Sequence, residues 1–280
     1  MMLLRALRVD LKVGLHGILP VLLGLSMVSV SCLIVAYTRV DAVGSVDVAE
    51  LTFADNIALI FAGSLPFEYR PGVMFVPPLG WTLLSMLVLY ASLSYPYRDL
   101  MGFGQQVLVR ENSRVTWLLS KCIWVALTCL LGCTIIVLVA AIWTLVQGQG
   151  LTTVLHSDAL YLAAMLMGPF KADMLDGAGF MLCIVVVLCS LSLLQLFLSI
   201  FLRPSISFLS MILLLIASAY AQTWYLPGNY LMFVRWGGFV EGGVDMWVGM
   251  MLCLGVALVF GVVGFGYFCK MDLVDREMAA

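Results

Sequence analysis

The chain has 280 residues, of which 63% are hydrophobic and 11% charged, and its mean hydropathy is +1.10. Soluble domains average roughly 45–50% apolar and about 25% charged, so there is too little polar side chain here to cover a water-facing surface, and the bilayer must be the solvent for much of the chain. A net charge of −2 excludes the broad basic surface that binding nucleic acid requires.

In chain order, the first element is amphipathic. Arg5, Arg8 and Lys12 recur at i, i+3, i+7, and Leu4, Leu7 and Leu11 do the same on another side. This pattern over residues 1–13 predicts a helix lying in the cytoplasmic interface, with a cytoplasmic extension of the first span as the alternative. A membrane-crossing helix needs about 20 mostly apolar residues. Six stretches qualify: 17–37, 73–96, 117–146, 178–202, 206–226 and 246–269. The first is too long for the ~7–15-residue core of a signal peptide and is read as retained. The second begins near Pro77 and Pro78, where missing N–H groups matter least, and Pro96 is expected to end it. The third is long enough to tilt, bend near Gly132 or protrude into water.

Orientation follows from the cations. With the N-terminus inside, ten of the fourteen Lys and Arg residues fall on the cytoplasmic side, and six spans return the C-terminus there. Fold class is therefore all-α, a polytopic protein of the cell membrane with both termini cytoplasmic, and residues 1–280 form a single transmembrane domain.

The centres of the spans hold no Asp, Glu, Lys, Arg or His. Ion-coupled carriers usually work through such groups, so a secondary carrier is the weaker alternative. No set of nucleophile, base and acid is visible. The eight cysteines all lie in or beside apolar runs without C-x-x-C spacing and read as small hydrophobes, so no metal site is expected. Gln195 and Gln222 are the candidates for lining a translocation path, since a buried amide must find a partner or a wet cavity; packing between helices is the alternative.

The segment from Tyr95 to Lys121 separates spans two and three on the cytoplasmic side. Arg98, Arg110, Arg114 and Lys121 place four cations near the inner leaflet, with Asp99 and Glu111 between them. Positive-inside bias alone explains the cations, and Arg114 and Lys121 are read as anchoring span three at the headgroups. The bias does not explain the ordered mixture of Gly, Gln and apolar residues, which has the character of a docking surface.

Here the chain resembles the permease subunits of type-2 ATP-binding-cassette exporters, in particular small ones of bacteriocin or antimicrobial-peptide export and immunity. The residues that carry the resemblance are Tyr95-Pro96-Tyr97-Arg98-Asp99-Leu100 and Gly104-Gln105-Gln106-Val107-Leu108-Val109-Arg110, with Ser113-Arg114, Trp117 and Ser120-Lys121 completing the block. Arg203-Pro204-Ser205 and Leu226-Pro227-Gly228-Asn229-Tyr230-Leu231-Met232 also fit. The resemblance implies a cytoplasmic coupling helix over 98–112, with Arg98, Asp99, Gln105, Gln106 and Arg110 contacting a separate ATPase subunit. It also implies a second permease copy or paralogue and an amphiphilic cargo such as a peptide, lipid or drug. A re-entrant helical hairpin over 227–245 would follow, with an ordinary external loop as the alternative. The chain has no phosphate-binding G-x-x-x-x-G-K-[ST] loop, so it is expected to be no enzyme and to bind no cofactor, ATP being held by the partner. A membrane scaffold or immunity protein that moves nothing is the remaining alternative.

Overall fold

The computed structural model describes residues 2–43, 48–100, 114–156 and 175–270. Seven α-helices make up the described part: α1 (Met2–Val43), α2 (Phe53–Ile60), α3 (Leu79–Leu100), α4 (Arg114–Val146), α5 (Ala178–Phe201), α6 (Pro204–Tyr220) and α7 (Met246–Lys270). Five of them, α1, α3, α4, α5 and α7, are long and apolar enough to cross a membrane, whereas α6 is a shorter apolar helix.

Three boundaries depart from the expectation. Residues 2–13 do not form a separate surface helix. They continue into the first span as one unbroken helix of 42 residues, the alternative reading of this stretch, because the sequence between Lys12 and the span offers only Gly14 as a weak point, and an interior glycine costs about 1 kcal/mol without ending a helix. Pro96 does not terminate α3, which runs one further turn to Leu100; the side chain of Asp99 in that turn is held by α4, as described below. The fifth apolar run stops at Tyr220 instead of 226, cut short by an arginine from elsewhere in the chain.

The hub is α5, which packs against α3, α4, α6 and α7, while α1 lies along α3 and α4. Close approach is set by small residues facing large ones. A Cβ on Gly14 would sit 2.3 Å from the Trp124 ring, and one on Gly249 2.2 Å from the Tyr230 ring. Those glycines let an aromatic ring lie against a helix backbone.

At the end of the bundle reached by the C-terminus of α1, short elements form a cap. Thr52 and Asp55 make a reciprocal capping box at the start of α2. Val154–Leu155 pairs antiparallel with Leu175–Asp176. Tyr37 of α1 donates to Asn56 Oδ1 at 2.8 Å, Asn56 Nδ2 donates to Thr144 Oγ1 of α4 at 2.9 Å, and Gln149 Nε2 donates to the Tyr37 hydroxyl at 2.8 Å.

Asp55 carries a pH signature. It is fully buried, accepts from the His156 N–H at 2.9 Å, and burial above all pushes its carboxyl up to about 6 from 3.8. A carboxyl whose folded value lies above its unfolded value favours the folded state when protonated. The penalty for ionised Asp55 is therefore absent below about pH 4, grows as pH rises, and is complete above about pH 6, on the order of 3 kcal/mol. Thermal unfolding in detergent is expected to show the wild-type midpoint rising on acidification from pH 7.5 to 4.5 by more than that of Asp55→Asn. Equal slopes in the two proteins would refute the assignment.

Residues 227–245 do not form a helical hairpin. They fold as two 3₁₀ turns, Pro227–Leu231 and Phe233–Arg235, followed by a tight return in which Val244 N–H donates to the Arg235 carbonyl at 2.8 Å. Leu231, Met232 and Phe233 are buried in the main core. The segment is stitched to the residues after α2, with Phe233 N–H to Phe61 O at 2.9 Å and Val234 N–H to Ala62 O at 3.1 Å.

A buried charge cluster as candidate functional site

The opposite end of the bundle holds a cluster of ionisable groups from three helices. Lys121 lies two turns into α4 and is 1% exposed. Its Nζ is 2.6 Å from Asp10 Oδ1 of α1 and 2.7 Å from Asp99 Oδ2 of α3. Tyr95 donates its hydroxyl to Asp10 Oδ1 at 2.6 Å, Ser120 donates to Asp10 Oδ2, and Trp117 Nε1 donates to Asp99 Oδ2 at 2.9 Å. The ammonium also sits over two aromatic faces, 4.5 Å from the Tyr95 centroid and 5.3 Å from that of Trp117, within range of cation–π attraction.

The chemistry of this arrangement is a lock. One ammonium offers three protons, and two carboxylates compete for them, leaving one negative charge compensated by the Ser120, Tyr95 and Trp117 donors. Buried ions persist only when paired and hydrogen-bonded, and here every charged member has at least two partners.

The expectation that Lys121 anchors α4 at the headgroups is therefore corrected: its partners pull it inward. Asp99, expected to face a partner protein, turns toward Lys121 and Trp117. Arg98 is exposed and lies along α1, with Nη1 3.4 Å from where a Cβ of Gly17 would be. Gln105, Gln106 and Arg110 lie outside the described residues. The cluster thus grips both flanks of the segment they occupy, through Asp99 before it and Trp117, Ser120 and Lys121 after it. Arg114, first residue of α4, donates to the carbonyls of Phe268 and Cys269 at the end of α7 at 3.3 and 3.0 Å.

Over residues 27–274 the chain matches the family model described as "Protein of unknown function (DUF2705)". The chain belongs to the DUF2705 family. No curated protein and no solved structure matches it.

In this DUF2705 chain the two glutamines singled out from the sequence are not brought together. Gln195 is wholly buried in α5, with neither amide atom hydrogen-bonded among the described residues, although its backbone carbonyl accepts from Ser207 Oγ at 2.9 Å. Gln222 lies beyond the end of α6, where Nε2 donates to the Gly242 carbonyl at 3.1 Å. It belongs to the opposite end of the bundle and not to a helix interior. The eight cysteines are free, and among the described residues no cluster of His, Cys, Asp and Glu forms a metal site.

Sequence reasoning missed two polar centres of the DUF2705 fold: Asp10 with Lys121, and Arg235. The signal for the first was present as an acid inside the basic amphipathic stretch, at a position between two turns of leucine. Arg235 is 0% exposed. It donates Nε to Ser64 O at 2.7 Å, Nη2 to Ala219 O at 2.7 Å, and Nη1 to the Ser218 and Ala221 carbonyls and Asn229 Oδ1. Three of these carbonyls are the orphan acceptors at the C-terminus of α6, which is why that helix ends there. Burial pushes the guanidinium down to about 10, so it remains charged at neutral pH.

Proposed function

We infer that this protein is the membrane-spanning permease subunit of an ATP-driven exporter of the type-2 ATP-binding-cassette class. It has six spans with α6 as the short fifth, both termini cytoplasmic, and an amphiphilic cargo such as a peptide, lipid or drug. Separate ATPase subunits supply the energy, and a second permease copy or paralogue completes the pathway.

The observation that carries this reading is the clamp on both flanks of residues 101–113. A segment that transmits force must be joined stiffly to the helices it moves, and the Asp10–Lys121–Asp99 cluster joins its two ends to each other and to α1. Force applied by an ATPase on this segment reaches α1, α3 and α4 together. Asp99 then serves as a positioning residue, while Arg98, Gln105, Gln106 and Arg110 remain the candidates for contact with the ATPase. The amide of Gln195, without a partner among the described residues, supports a polar element inside the bundle, whereas Gln222 is withdrawn as a path residue.

The test is co-purification of the full chain with its ATPase. Reversing charge at both Arg98 and Arg110 to Glu is expected to abolish the complex while leaving the unfolding free energy of the permease within about 0.5 kcal/mol of wild type. Normal assembly of the doubly reversed protein would overturn the docking assignment. One observation favours a second reading: buried ionisable groups are the usual equipment of ion-coupled carriers, and Asp10, Asp99 and Lys121 are such groups. Cargo movement driven by an imposed proton gradient without ATP would select that reading.

A further inference from the structure

Independently of the export reading, the bundle carries a cup of about 310 Å³ at the end opposite Asp10, lined by Gln222, Thr223, Trp224, Tyr230, Gly242 and Asp245 among others. Several of its donors are already committed within the chain. Gln222 Nε2 donates to Gly242 O at 3.1 Å, the Tyr230 hydroxyl donates to Trp224 O, and the Gly243 and Val244 N–H groups donate to Val240 O and Arg235 O.

Two acceptor atoms beside them are left open. Thr223 Oγ1 is buried with no partner among the described residues. Asp245 caps α7 through Oδ1, which accepts from the Trp247 N–H at 2.7 Å and the Val248 N–H at 3.4 Å; Oδ2 accepts nothing among the described residues. The positive end of α7 offsets only about half a charge, so the carboxylate leaves the cup net negative. Burial is the main cause pushing the Tyr230 phenol up to about 12, and Asp245 adds to it, which places the two within electrostatic reach. Trp224, 64% exposed, provides an aromatic face at the lip.

A buried hydroxyl and a carboxylate oxygen, each without a partner among the described residues, and an aromatic face make a complement to a cation with several protons and a short apolar stem. We propose that this cup binds a primary ammonium group, with its charge on Asp245 Oδ2, one proton on Thr223 Oγ1 and its alkyl stem against Trp224. Two sources offer that chemistry: a soluble alkylamine of the lysine side-chain type and the headgroup of phosphatidylethanolamine.

The test uses the purified full chain in two arms. In nanodiscs of phosphatidylcholine, which carries no primary ammonium, the protein is titrated calorimetrically with N-acetyl-lysine methylamide and with its neutral Nε-acetylated counterpart. In detergent, native mass spectrometry reads retention of phosphatidylethanolamine against phosphatidylcholine. Saturable binding of the charged probe assigns the soluble source, and selective retention of phosphatidylethanolamine assigns the lipid. In whichever arm responds, Asp245→Asn is expected to weaken binding roughly tenfold, the loss expected when one charge-assisted hydrogen bond is removed. Asparagine caps a helix about as well as aspartate, so the fold survives that change, and Thr223→Val provides an independent, smaller loss. Equal binding of the charged and neutral probes with no lipid preference, or wild-type behaviour of Asp245→Asn in both arms, overturns the proposal.

Discussion

Replacing Lys121 by methionine is expected to destabilise the folded protein by about 3–5 kcal/mol, the usual result of deleting one partner of a buried ion pair. The substitution keeps the length of the stem and removes only the ammonium, so Asp10 and Asp99 are left facing each other without a counter-ion, both largely withdrawn from solvent. The triple variant Asp10→Asn, Asp99→Asn, Lys121→Met should recover much of the loss, because an uncharged cluster leaves nothing unpaired to desolvate. Ser120→Ala removes one donor to Asp10 and should cost about 1 kcal/mol. Denaturant unfolding in a mild detergent distinguishes these cases. A Lys121→Met variant within about 1 kcal/mol of wild type would show that the cluster contributes little to stability.

Arg235 is expected to be as sensitive, for a different reason. Its guanidinium binds backbone carbonyls rather than carboxylates, so Arg235→Leu leaves those of Ser64, Ser218, Ala219 and Ala221 without their donor in a site closed to water. A hydrogen bond from a charged donor contributes roughly 1.5–3 kcal/mol, and several are lost together, so a deficit of at least about 4 kcal/mol is anticipated. Lysine should not rescue it. The planar fork of arginine reaches acceptors on three separate segments, whereas an ammonium is a single point of three donors. Protease protection of residues 221–235 in detergent gives a local readout alongside the midpoint. An Arg235→Lys protein as stable and as protected as wild type would refute the view that geometry, and not charge alone, ends α6.

How far the fold could be read from the sequence depended on whether its causes were local. The helices α4, α5 and α7 lie within a few residues of their expected limits, because a continuous apolar run determines both where a helix sits and where it stops. The fifth run failed by that same logic. Trp224, Tyr225 and Leu226 prolong the hydropathy of α6, yet the helix ends at Tyr220 because a guanidinium 14 to 17 residues further along takes its carbonyls. Lys121 was misplaced for an equivalent reason: one of its two counter-ions, Asp10, lies 111 residues away, and no window of composition registers that distance. The sequence located Asp99 at the end of the second span, but its inward direction is fixed by Trp117 and Lys121 on the next helix. In α1, the amphipathic pattern suggested a surface helix; it did not reveal that Asp10 faces inward, which makes the stretch a continuation of the span.

Two of the longest helices run side by side in the same direction and are fastened at both extremities. Asp10 and Lys121 join α1 to α4 at one end, and Tyr37, through Asn56 and Gln149, joins them to Thr144 and the chain just past α4 at the other. The interval from Asp10 to Tyr37 is about 40 Å of helix at 1.5 Å per residue, so the pair behaves as a strut that resists both sliding and splaying. Any large rearrangement of this protein must then pivot elsewhere. The compliant seam is the largely apolar cleft of about 590 Å³ where Leu118 and Cys122 of α4 face Leu193 and Phe197 of α5 and Leu258 of α7, a junction crossed by no ion pair among the described residues.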